Sequence, residues 1–332
     1  MSSSPSTRQE RDPAEPDVVE VRPGIFRLQL PIALPGLGHV NCYALPDARG
    51  ITLIDPGLPD PGSHAELCDR LARIDATPER VHTVIITHSH PDHFGGAGRL
   101  RRANGADVVA HRHFSALFDP REDDLGELAD VARRPDDGFD PVAFADALLD
   151  DEEPTSLPVR RAPWGSELSF PSLDEIRHMR TWDLESRRGF ITPDPTTRVD
   201  DGDTLVIGER RWRMVHTPGH TGDHLCLFDE DDGVLLSGDH VLPTITPHIS
   251  GMTPSPDALA DFFHGLDRVA RLDGVNVALP AHGHPVDDVA ARSADIAQHH
   301  RDRLETLVEI GLQLGETDVV AFAHELFQPR SW

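Results

Sequence analysis

The sequence predicts a layered α/β fold, and three observations carry that reading. Apolar, β-branched runs of strand length recur along the chain. Stretches with apolar residues at helical spacing lie between many of them. Loops rich in histidine and aspartate follow several strands directly, where layered α/β folds usually build their sites.

Taken in order, residues 18–58 read as three strands: 24–28, 39–45 and 51–54, the last ending at Asp55-Pro56-Gly57. A helix follows, with Leu67, Leu71 and Ile74 on one face. Residues 81–87 form a strand that runs straight into His88, then a helix spans 96–103 and a strand 106–110. Residues 119–195 break the rhythm, being acidic and proline-rich with weak helical periodicity near 125–132 and 142–149. They read as a helical insertion or lid, whose Arg160-Arg161, Trp164, Phe170, Trp182 and Arg187-Arg188 serve either a substrate pocket or ordinary packing. Strands resume at 204–207, 211–216, 224–229 and 234–237. A helix carrying Leu259, Phe262, Phe263, Leu266 and Val269 precedes a last strand at 275–279. The expected organisation is a disordered tail over 1–17, a main domain over 18–285 and a helical C-terminal extension over 286–332.

Composition narrows the function. The formal charge is −26, and all 31 basic residues are arginine. Without lysine, Schiff-base catalysis is excluded. A field this negative repels phosphate backbones, so a small-molecule substrate is expected rather than nucleic acid. The first 17 residues hold no apolar run, and no later stretch is long and apolar enough for a membrane helix, so a cytoplasmic protein is expected. Cys42, Cys68 and Cys226 are widely spaced, with no CxxC pair, and read as thiols rather than disulfide partners.

The chemistry centres on His88-Ser89-His90-Pro91-Asp92-His93. Imidazole nitrogen and carboxylate oxygen suit zinc, manganese or iron(II). Alternation in an extended turn puts His88 and His90 on one side, while Asp92 and His93 face a second position, so one loop can feed two ions. Three further candidates follow apolar strands at glycine-marked turns: His220 in Thr217-Pro218-Gly219-His220-Thr221, Asp239 in Ser237-Gly238-Asp239-His240, and His282 in Pro280-Ala281-His282-Gly283. His216 and His224 read as structural histidines around the third motif. His240, Thr246 and His248 are weaker candidates for pocket contacts, and His284, His299 and His300 are expected to be exposed or packed.

These motifs, with Asp55, occur in the order found in the metallo-β-lactamase-fold hydrolase superfamily, which the sequence resembles from about residue 18 to 285. The resemblance implies an αββα sandwich. It implies that His88, His90 and His220 hold one divalent ion, that Asp92, His93 and His282 hold a second, and that Asp239 bridges them. Asp55 would orient the loop by hydrogen bonding. The cofactors implied are two divalent ions, zinc foremost, with iron or manganese as alternatives. About 3.5 Å apart, they would share a bridging hydroxide that attacks a carbonyl or phosphoryl centre, with Asp92 or Asp239 orienting it.

Within that superfamily, class B β-lactamases are exported and commonly place cysteine where this sequence has Asp239, which argues against antibiotic hydrolysis. Motifs of the nuclease branch's insertion are absent from the sequence. The Thr217–Thr221 and Gly238-Asp239 forms resemble the glyoxalase II thioesterase branch. The C-terminal helices resemble either simple caps or the start of a winged-helix extension, whose wing would lie beyond Trp332, in a lactamase-like branch that includes an endoribonuclease and polyketide thioesterases. The expected activity is hydrolysis of a thioester or related activated ester. Lactone opening, RNA cleavage and mononuclear-iron persulfide oxidation are the alternatives.

Overall fold

The computed structural model describes residues 8–34, 36–116, 160–161, 167–168, 191–249, 255–317 and 319–326. The chain divides into two compact units, one formed by Met1–Leu117 with Glu185–His299 and the other by Phe118–Leu184 with His300–Trp332.

In the first unit, β1 (Val19–Arg22), β2 (Ile25–Leu34), β3 (Leu37–Asp47) and β4 (Gly50–Ile54) form an antiparallel meander. After helix α1 (Pro61–Ala72), the sheet continues in parallel through β5 (Val81–Ile85), β6 (Asp107–His111) and β9 (Thr197–Val199). The short helix α2 (Pro91–Phe94) and helix α3 (Ala97–Asn104) connect β5 to β6. A second sheet runs β10 (Thr204–Ile207), β11 (Arg210–His216), β12 (Leu225–Asp229), β13 (Val234–Gly238) and β14 (Val277–Pro280). It is antiparallel except for the β13–β14 pair, which helix α4 (Ala258–Ala270) connects.

Period-two alternation explains the layering. Ile54, Ile85 and Val109 from the first sheet meet Trp212, Met214, Leu225 and Leu236 from the second in one buried core. Their neighbours Leu53, Val84 and Val108 are also fully buried, as are Leu67 and Leu71 of α1. On the far side of the second sheet, Val215, Cys226 and Phe228 pack with Phe262, Leu266 and Val269 of α4 and with Val289 and Ile296. The result is the αββα sandwich expected from the sequence. Asp60 caps α1 by accepting from the amide of Ser63, and Asp257 caps α4 through the amide of Ala260.

Helix α5 spans Val289–Leu314, and α6 spans Val319–Leu326. Within the second unit, a two-residue antiparallel pair joins β7 (Arg160–Arg161) to β8 (Glu167–Leu168), and Gly311 faces Phe322.

Three findings go beyond the sequence reading. Strands β1 and β9 were not anticipated, because each is very short. From residue 8 the chain is placed against the first unit: Gln9–Arg11 form a 3-10 turn and Glu10 is fully buried, unlike the expected disordered tail. Apart from Arg160 and Arg161, which lie in β7, the insertion residues named above as pocket candidates fall outside the described residues.

Candidate metal centre

All seven predicted ligands converge where strands of both sheets end. β5 leads into His88–His93, β11 and β12 flank His220, β13 delivers Asp239 and β14 delivers His282. Their donor atoms fall into two groups, His88, His90, His220 and Asp239 in one and Asp92, His93 and His282 in the other, with the atoms of each group within 4.8 Å of one another. All are buried except His90, which is partly exposed.

Asp239 stands between the groups. Its Oδ2 lies 3.4 Å from His220 Nε2, 3.9 Å from His88 Nε2 and 3.7 Å from His93 Nε2, while Oδ1 lies 3.3 Å from His282 Nε2. Asp92 Oδ2 is 3.4 Å from His93 Nε2 and 3.5 Å from His282 Nε2. His88 Nε2 and His90 Nδ1 are 3.0 Å apart.

The outward-facing nitrogens explain this aim. His220 Nδ1 donates to the carbonyl of His248 at 2.5 Å, and His282 Nδ1 donates to the carbonyl of His39 at 2.7 Å. His93 Nδ1 donates to Asp55 Oδ2 at 2.9 Å. The Thr87 hydroxyl donates to Asp55 Oδ2 at 2.7 Å and can accept from His88 Nδ1 at 3.0 Å. In each case the outer N–H is engaged and Nε2 keeps its lone pair for the interior. Asp55, buried and at φ 54°, also accepts the Thr87 amide at 2.9 Å, so one carboxylate ties the end of β4 to the loop after β5.

Electrostatics reinforce the picture. Burial drives the His88 imidazole well below its ordinary range, helped by His93 and His90, and takes His90 down to about 4. Burial disfavours the Asp92 carboxylate, yet His93 and His282 hold it at about 2. Against the same penalty, His282 and His93 keep Asp239 well below its usual value. Burial works against a charged His93, but Asp92, Asp239 and Asp55 raise it well above the imidazole range, and Asp239 and Asp92 raise His282.

A divalent cation fits this donor set. His93 Nε2, His220 Nε2, His282 Nε2 and Asp239 Oδ1 are buried without a hydrogen-bond partner, all turned to the same interior. Buried polar atoms are rarely left so. Nitrogen and carboxylate donors at this density suit zinc, manganese or iron.

The weaker candidates separate. His224 is fully buried; its Nε2 accepts the Asp239 amide at 3.0 Å, and its Nδ1 meets the Thr217 hydroxyl at 2.8 Å. Gly238, at φ 50°, is required there, because a Cβ would lie 2.6 Å from that Nε2. His216 stacks on His111 at 4.0 Å, and His240 is buried with its ring 4.9 Å from that of Phe262. His248 enters through its carbonyl. His284 Nδ1 faces Arg27 at 3.4 Å, and the Ser89 hydroxyl donates to the buried Asp223 at 2.9 Å. Sequence reasoning missed His39, Thr87 and Asp223, because none sits in a motif that marks it. The three cysteines are free, Cys42 and Cys226 buried. Among the described residues, no helix is long and apolar enough to cross a membrane.

The model of the metallo-beta-lactamase superfamily matches residues 35–310. Lactamase-like protein vrtG of Penicillium aethiopicum is 25% identical over 300 residues, covering 89% of this chain and 68% of that protein. Probable metallo-hydrolase YqjP of Bacillus subtilis is 24% identical over 304 residues, covering 90% of this chain and 82% of that protein. Lactamase-like protein nscB of Aspergillus fumigatus is 30% identical over 112 residues, and the match spans about a third of its length (32%). Among solved structures, a metallo-beta-lactamase family protein of Thermus thermophilus superposes with a TM-score of 0.67 at 27% identity, covering 92% of this chain and 88% of that one.

Proposed function

The chain belongs to the metallo-beta-lactamase superfamily, and from that premise we propose that it is a hydrolase of thioesters or related activated esters working with two divalent ions. The observation that carries the two-ion reading is Asp239, whose carboxylate lies within 3.9 Å of imidazoles of both groups. Bound there, divalent ions would supply Lewis acidity and make water nucleophilic near neutral pH.

The chain's own residues do the rest. His88, His90 and His220 would hold one ion and Asp92, His93 and His282 the other, with Asp239 between them. Asp92 or Asp239, each within 3.5 Å of ligand imidazoles, would orient the attacking water or accept its proton. Asp55 and the carbonyls of His39 and His248 keep the ligands aimed through the cycle.

The leaving group follows from what the site offers. Among the described residues, Asp92 and Asp239 lie against ligand imidazoles and Asp55 accepts from Thr87 and His93, so none of the three stands out as a separate acid for an expelled alkoxide. A thiolate leaves without one. The charge of −26 disfavours a polyanionic substrate such as RNA, so a small-molecule partner is preferred. The test is a panel of thioesters, aryl esters, lactones and single-stranded RNA with zinc-loaded protein. Thioester cleavage should lead in kcat/KM by at least about tenfold, a margin of about 1.4 kcal/mol in transition-state binding. Cleavage of RNA that is lost in His88→Ala would overturn the proposal.

A further inference from the structure

Two of the carbonyls that aim ligand histidines are braced by residues before the start of the family match at residue 35. Glu10, in the turn Gln9–Arg11, is fully buried. A carboxylate is buried only when its oxygens are satisfied. Here Glu10 accepts the amide of Thr244 at 2.9 Å, the amide of Ile245 at 3.1 Å and the hydroxyl of Thr244. Arg292 takes the opposite polarity of the same loop, donating to the carbonyls of Leu242 at 2.6 Å and Ile245 at 2.8 Å. Held from both sides, this loop presents the His248 carbonyl to His220 Nδ1.

A second arm reaches the last motif. The Asp12 carbonyl lies 2.7 Å from His39 Nδ1. A carbonyl only accepts, so the proton sits on Nδ1 and His39 Nε2 keeps a lone pair. That lone pair accepts the Gly283 amide at 3.1 Å, while the His39 carbonyl accepts from His282 Nδ1. Gln9 Oε1 accepts the amide of His284 at 3.2 Å. The segment lies directly on β3: a Cβ at Gly38 would fall 2.2 Å from the Asp12 carbonyl oxygen.

We propose that Gln9–Asp12 is a positioning clasp for the metal centre, in which Glu10 fixes the loop that aims His220 and the Asp12 carbonyl fixes the histidine that aims His282. The clasp acts through the backbone of two ligand-bearing loops. It rests on the metal-centre reading above.

The experiment uses the full chain and reads zinc affinity by competition with a chromophoric chelator. Glu10→Gln puts an amide donor against backbone donors, and Gly38→Ala forces the segment off β3 without touching Glu10. Each variant should weaken zinc binding at least about tenfold, the usual consequence of losing a ligand's orienting partner. Because both release the same segment, the double variant should lose little more than the worse single one. Wild-type affinity in either folded variant, or fully additive losses, would overturn the clasp. A wild-type chain that binds no zinc would instead overturn the metal-centre reading.

Discussion

The two halves of the centre are built differently. Asp92, His93 and His282 are all buried, and their histidines are steered by a carboxylate, Asp55, and by a strand carbonyl, that of His39 in β3. His88, His90 and His220 are steered by the Thr87 hydroxyl and by the His248 carbonyl, which lies on a loop, and His90 is partly exposed. The first set takes its steering partners from β3 and the end of β4 and contains its own anion. The second has Asp239 as its one carboxylate, and its His90 is partly exposed. A site on rigid elements holds its geometry better than one on a loop. The Asp92 half should therefore retain its ion more tightly, and the His90 half should be the side that meets substrate.

Asp239 should show the largest effect, because it belongs to both halves. Asp239→Ala is expected to cut kcat by at least about 1000-fold, roughly 4 kcal/mol of activation free energy, and to weaken both ions. Equilibrium dialysis alongside steady-state kinetics checks this; loss of a single ion would break the symmetric bridging role. A smaller and one-sided effect is expected for Asp55→Asn, which replaces the acceptor of His93 Nδ1 with a mixed amide. It should weaken the Asp92-half ion about 10- to 100-fold while leaving the other nearly unchanged. Equal weakening of both would show that Asp55 supports the whole loop after β5 rather than His93 in particular.

How much was legible in the sequence follows the same division. The ligands fall in loops after strands, four in one His88–His93 cluster and three at glycine-marked turns, so local pattern alone exposed His88, His90, Asp92, His93, His220, Asp239 and His282. The apolar runs that become β4, β5 and β6 were readable too, as strands. Strand β9 escaped because Thr197–Val199 is only three residues long and gains its identity by pairing with β6. The roles of His39, Glu10 and His248 escaped for a deeper reason. His248 works through a carbonyl that any residue would supply, His39 joins a carbonyl to a ring held by Asp12 and Gly283, and Glu10 acts on residues 234 and 235 positions away. Such partners become visible only once the chain is folded.

The central claim is most directly tested by counting metal in the purified full-length protein after mild chelation, by elemental analysis per chain. The two-group arrangement predicts about two divalent ions per chain, with the ion of the His90 half removed first as the chelator concentration rises. A chain that retains none, or that saturates at one, would contradict the two-ion centre built around Asp239.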